Sequence, residues 1–370
     1  MFTIYPKICI MYSYSSKQAR NLKLKRILKS IISTVIMLSI IALIVLNWDK
    51  CLVQINKLKG IYYVTKGDRA MKDNNLIEAI EYYEKGLRLY PGYTSAWCNL
   101  GNILVLYEDY DSAVEKYKTG LKDTDRYIAC RMNLGIVLSE KLLEYDDAIY
   151  QYEKITNAQP PLLTIPFLTD NKKNVEENIG LAYYNLGVTY HYKSLLAYDN
   201  KPLWETYNEK SVQMYESAKN ILKDNYDVAY NYGLSNQIMG NYEKAKEGYC
   251  RAIKITPMNY EAHYNLAILL AHERNYRAAL NEIEKAELLA EEIGNILISK
   301  YIAQIHVELL KKIMQTEGGK DYLIERENKK REIAEHDSEI YYKNGILRVA
   351  DRYGATTNKS FQTCDVDDII

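Results

Sequence analysis

Phenylalanine is nearly missing from this chain: three residues stand against 36 tyrosines. Phenylalanine codons are as AT-rich as tyrosine codons, so base composition does not fully explain the choice. Aromatic packing must come mostly from rings whose hydroxyl wants a partner when buried. None of the six cysteines (Cys9, Cys51, Cys98, Cys130, Cys250, Cys364) forms a Cys-x-x-Cys pair, so no metal or redox signature is present. Cys98 and Cys130 are expected to lie near each other as a buried, reduced pair. Enzyme motifs are also lacking. There is no phosphate-binding Gly-x-x-x-x-Gly-Lys-Ser/Thr, no Gly-x-Gly-x-x-Gly and no His-Glu-x-x-His, although His272-Glu273 begins like the last. His263 and His272 are nine residues apart, on opposite sides of a helix, and cannot share a metal. His191 has no evident Cys or carboxylate partner and reads as a packing or rim residue. No catalytic residue, metal ligand or cofactor is assigned.

Net charge is zero, but it is unevenly spread. Seven basic residues and no acidic one fall within residues 1–29, leaving 41 basic against 48 acidic residues in the remainder. A basic face for nucleic acid is therefore missing, and no nucleic-acid partner is expected. The only long apolar run, Ile31 to Leu46, sits inside about 19 uncharged residues, enough helix to approach the roughly 30 Å hydrocarbon core. A transmembrane helix is expected over 30–48, with the bilayer as partner. Trp48 suits the interface, and the basic residues before the run hold the N-terminus in the cytoplasm. Everything after Trp48 is then extracytoplasmic, periplasmic or extracellular. The competing reading is a cleaved signal peptide, but the apolar stretch is longer than the usual 7–15 residues and no Ala-x-Ala site follows. Met11 is an alternative start to Met1, and the reading holds for either.

A period of 34 residues organises the chain beyond this helix. Gly67, Leu100-Gly101 and Leu134-Gly135 keep that spacing, and the beat returns at Leu186-Gly187, Gly233 and Leu266-Ala267. Such a period marks stacked helical hairpins. Numbering each unit from 1, small residues fall at 8 and 20, an aromatic at 24 (Tyr83, Tyr117, Tyr152, Tyr215, Tyr249) and proline near 32 (Pro91, Pro160, Pro257). The small residues let two helices approach, the aromatic fills the gap to the next hairpin, and proline ends the second helix. Turns carry Asp109-Tyr110-Asp111 and Gly240-Asn241-Tyr242.

These residues resemble the tetratricopeptide repeat, over most of 60–293. The resemblance implies an all-α, right-handed superhelical solenoid of about six hairpins, preceded here by a transmembrane helix. Units are expected at 60–93, 94–127, 128–162, 180–225, 226–259 and 260–293. The third carries a one-residue insertion in its turn, and the fourth is enlarged, with both helices long. A capping helix is expected at 294–316, and a polar, partly disordered tail at 317–370, with a short helix at Ser338–Tyr353. The apolar loop Pro160–Asp170 is expected to pack onto a neighbouring helix.

The resemblance also implies an inner groove lined by first helices, where positions 5, 6 and 9 face a ligand. Position 6 is asparagine in five units: Asn99, Asn133, Asn185, Asn231 and Asn265, with Thr65 in the first. An amide both donates and accepts, so such a row can grip an extended backbone without reading its sequence. It is similar to the asparagine ladder of some peptide-binding members, though asparagine here is also plain consensus. Tyr184, Tyr230 and Tyr264 at position 5 and Asn102 at position 9 complete the expected site. A carboxylate clamp is excluded, because position 5 is never basic. The expected function is a membrane-anchored scaffold for protein–protein interaction, holding an extended protein or peptide ligand without catalysis. A spacer, a self-assembling (homo-oligomeric) subunit of an envelope complex, and a regulator of a partner enzyme are the alternatives.

Overall fold

The computed structural model describes residues 5–122, 124, 127–159, 172–336 and 364. Those residues form α-helices and one π-turn, without strands. The chain divides into two compact units, Met1–Ile103 and Leu104–Ile370.

In the first unit, α1 runs Tyr5–Leu46 as one helix. Its stretch Lys23–Leu43 is long and apolar enough to cross a membrane and is buried nowhere. Exposed Ile, Leu, Val and Met along 27–46 form one extended apolar surface. The helix stops at Asn47, and α2 (Trp48–Lys72) begins with Trp48. With α3 (Leu76–Leu89), α2 makes the first hairpin. Its core joins Val64, Ala79, Tyr83 and Leu87 to Ala96, Leu100 and Ile103 of α4 (Thr94–Leu106).

The second unit continues through α5 (Tyr110–Leu121), α6 (Ile128–Ile136) and α7 (Tyr145–Thr156). Then come α8 (Lys172–Leu196), α9 (Lys201–Ile221), α10 (Tyr226–Ile238) and α11 (Tyr242–Ile255). It ends with α12 (Tyr260–His272), α13 (Tyr276–Glu292), α14 (Ile296–Met314) and α15 (Gly319–His336). Helices α6 and α7, α8 and α9, α10 and α11, and α12 and α13 pack as successive hairpins. Helix α14 covers α13, as a terminal cap should.

One turn design recurs. Asn74, Glu108, Gly240 and Arg274 have positive φ, and each is followed by an asparagine or aspartate that starts the second helix. The backbone N–H of that next residue returns to a carbonyl five residues back, as in Asn75 to Ala70 and Asn275 to Leu270. The third turn must fit one residue more. A π-turn at Val137–Lys141 absorbs it, Leu143 takes the positive φ, and Glu144 N–H reaches six back to Leu138. The fourth hairpin is long in both arms, at 25 and 21 residues against 13 and 14 in the fifth.

Tyrosine at position 24 corrects the expected packing. Its ring lies inside its own hairpin, over the position-8 glycine, rather than filling only the gap to the next. A Cβ on Gly67 would meet Tyr83 at 2.6 Å, and one on Gly187 would meet Tyr215 at 2.7 Å. Three of the hydroxyls find partners: Tyr83 donates to Asp68 at 2.8 Å, Tyr249 donates to Gln237 at 2.6 Å, and the Tyr152 hydroxyl lies 3.2 Å from Ser139 Oγ.

Two further expectations are corrected. Cys98 and Cys130 are both disulfide-bonded, not reduced. Cys364, in the stretch read as a loose end, is bonded to Cys250 of α11 and packs on the core of the last hairpins. Oxidation needs a second sulfur within bonding reach, which sequence spacing does not reveal. The charged stretch from residue 321 is helical through His336. Glu284 of α13 explains why it docks: its carboxylate meets Arg326 at 2.6 Å and Lys330 at 3.0 Å, both on α15. The segments Pro160–Asp170 and Ser338–Tyr353 lie outside the described residues.

Candidate functional site

In the second unit, the leading helices carry their position-6 asparagines half-buried and spaced one per hairpin. Three of them bond backward to position 5 of the preceding hairpin. Asn185 donates to Met132 Sδ at 3.2 Å, Asn231 to the Tyr184 hydroxyl at 3.4 Å, and Asn265 to the Tyr230 hydroxyl at 2.7 Å. Asn231 also donates to the Asp227 carbonyl at 2.8 Å, one turn earlier on α10. The row therefore stitches hairpin to hairpin through its N–H groups. The amide oxygens of Asn185, Asn231 and Asn265 accept no bond among the described residues. Asn133 stands half-buried on α6 and is itself engaged.

The tyrosines belong to the same stitch. Burial pushes the Tyr184, Tyr230 and Tyr264 phenols up to about 12, so all three stay neutral hydroxyls. Tyr264 faces Tyr301 of α14, ring centres 6.2 Å apart. In the first unit, Asn99 is held differently. It donates to Asp68 at 3.2 Å and to the Tyr83 hydroxyl at 3.0 Å, and Asp68 is the shared anchor. Asn102 is half-buried on the same helix and engaged.

Two histidines, His263 and His191, sit in packed surroundings. His263 is buried, with Nδ1 2.6 Å from Glu282 and Nε2 3.1 Å from the Pro257 carbonyl. Burial alone would raise the Glu282 carboxyl, but Lys285 and His263 outweigh it and hold the group well below the usual range. His191 is half-buried, its Nδ1 meets no partner among the described residues, and burial lowers its pKa. No group of three or more His, Cys, Asp or Glu assembles for a metal among the described residues.

Residues 64–127 and 239–293 match the tetratricopeptide-repeat family. The chain carries tetratricopeptide repeats. A TPR repeat-containing protein of Methanocaldococcus jannaschii is 25% identical over 242 residues, 63% of this chain and 39% of that protein. The photosystem I assembly protein Ycf3 of Prochlorococcus marinus is 30% identical over 90 residues, 23% of this chain and 52% of that protein. The chain thus spans well under two thirds of these relatives. Among solved structures, that of Pseudomonas aeruginosa pilF is 15% identical with TM-score 0.48, over 67% of this chain and 98% of that one. Repeats of this kind stack into extended concave surfaces suited to binding.

Sequence alone placed the asparagines on one face but missed what they bond. It placed Asp68 at position 9, beside Gly67, without revealing that this carboxylate accepts from Tyr83 and Asn99. The Glu284 cluster was equally silent, because Arg326 and Lys330 lie over 40 residues away.

Proposed function

We propose that the repeat region grips an extended segment of another protein along α6, α8, α10 and α12, at a membrane and outside the cytoplasm. The supporting observation is the row of Asn185, Asn231 and Asn265. Their N–H groups are fixed by the preceding hairpin, which sets each amide plane and leaves its oxygen as a ready acceptor. Acceptors repeated once per hairpin suit the N–H groups of an extended backbone. Asn133 extends the proposed site, and Tyr184, Tyr230 and Tyr264 supply rigid side-chain contacts. Asn99 and Asn102 offer the same amide chemistry on the first unit. An assembly role accords with the name of the Prochlorococcus marinus relative.

Two features support the topology. Basic residues precede the candidate span, and Cys98, Cys130, Cys250 and Cys364, all beyond it, are disulfide-bonded. Such bonds persist in oxidising compartments.

The test is a photoreactive amino acid at Ile268, one turn beyond Asn265, in intact membranes. It should capture one contiguous extended peptide of a partner, while the same group at Glu243 on α11 captures none. Capture at Glu243 and not at Ile268 refutes the groove. Protease added outside spheroplasts should degrade the repeat region; full protection refutes the topology.

A further inference from the structure

We infer that the cleft between the start of α7 and the tip of the α8–α9 hairpin is a second docking surface, for a lysine- or arginine-bearing segment of a partner polypeptide. Both departures from the 34-residue period converge there. The extra residue of the third unit pushes Leu143 and Glu144 onto one rim. The added length of the fourth hairpin builds the opposite wall, with Asp199 and Leu203. The cleft measures about 760 Å³. Both irregularities thus contribute lining residues to one cleft.

The lining has two chemistries. Leu143 and Leu196 are 60% and 70% exposed and give an apolar rim. Glu144, Asp146, Asp147 and Asp199 carry four negative charges; Lys193 pairs with Asp146 and Lys118 lies 3.9 Å from Asp147, which leaves Glu144 and Asp199 in excess. A basic side chain has the matching form, an apolar stem and a cationic tip. The cleft already seats one: Lys193 is ion-paired with Asp146, and its ammonium lies 5.0 Å from the Tyr207 ring centre. Acidic residues in the first turn of α7 also favour its helix dipole. That accounts for Asp146 and Asp147, but not for Asp199, for the exposed leucines, or for the cleft itself.

The experiment uses the full chain in detergent and fluorescein-labelled octalysine, read by anisotropy. Octalysine should bind, octaglutamate should not, and rising salt should weaken the complex. Asp147→Asn with Asp199→Asn should weaken binding about tenfold, as expected for two lost charges at a polar rim. Glu291→Gln with Glu292→Gln, the same charge change at the exposed end of α13, should leave it unchanged. Leu203→Arg keeps every carboxylate and should also weaken binding, so a folding defect in the first variant does not decide the matter. Equal loss with the Asp and Glu pairs, or no loss with either Asp147→Asn/Asp199→Asn or Leu203→Arg, overturns the inference. Ile268 crosslinking is independent of these residues, so the two proposed surfaces stand or fall separately.

Discussion

Replacing Gly248 by alanine should prise α10 from α11. A Cβ there would lie 2.5 Å from Gly233 N, 2.6 Å from Gly233 Cα and 2.9 Å from the Ala229 carbonyl oxygen. All three atoms are backbone, so no rotamer change relieves the contact. Ordinary contact begins near 3.4 Å, so the helices must part by close to an ångström along the tightest crossing of that hairpin. The cost belongs at the upper end of overpacking, about 3 kcal/mol. In a unit of this size that lowers the melting temperature by roughly 6–12 °C. Gly240→Ala is the matched control. Its φ is +75° but nothing lies within 4 Å of the new Cβ, so only conformational strain of about 1 kcal/mol is added. Thermal melts of both variants by circular dichroism at 222 nm compare the two effects. If Gly248→Ala melts within the error of Gly240→Ala, close backbone approach is not what holds this hairpin together.

Leu143 has φ of 59° in the irregular third turn, so Leu143→Gly should stabilise by about 0.5–1 kcal/mol, seen as a higher urea midpoint. Opening Cys250–Cys364, which closes 114 residues, should cost up to about 4–5 kcal/mol by chain entropy, so Cys364→Ser should melt well below the parent; equal melting refutes a formed bond. Docking of α15 should depend on pH with two limbs. Glu284, where burial is outweighed by His306, Arg326 and Lys330, is held down at about 2, so its contribution is present above its ordinary 4.5 and fades as pH falls toward 2. His306 is raised above 6.5 mainly by Glu284, so its contribution is full below 6.5 and fades as pH rises through the raised value. Protease resistance at the α14–α15 turn should therefore peak between 4.5 and 6.5. His306→Gln should remove the alkaline limb and, because His306 also holds Glu284 down, move the acid limb to higher pH.

The repeat was legible because hairpin packing is local and periodic. Gly67, Ala79 and Tyr83 recur at fixed offsets, since every hairpin solves the same close-approach problem, and even the one-residue excess before Ala148 could be read. The candidate ladder was half legible. Its register follows from the period, but its bonds to Met132, Tyr184 and Tyr230 connect residues 35 to 53 apart, and their direction along the stack depends on how neighbours are offset.

Covalent order along the chain was enough to determine the helical class, the repeat and the apolar N-terminal helix, because each follows from residue type within one or two turns. Only the folded arrangement decided which sulfurs bond, where the charged helix after Gly319 docks, and that two separate insertions shape one cleft. Those outcomes depend on distances between segments far apart in the chain, and no local preference encodes them.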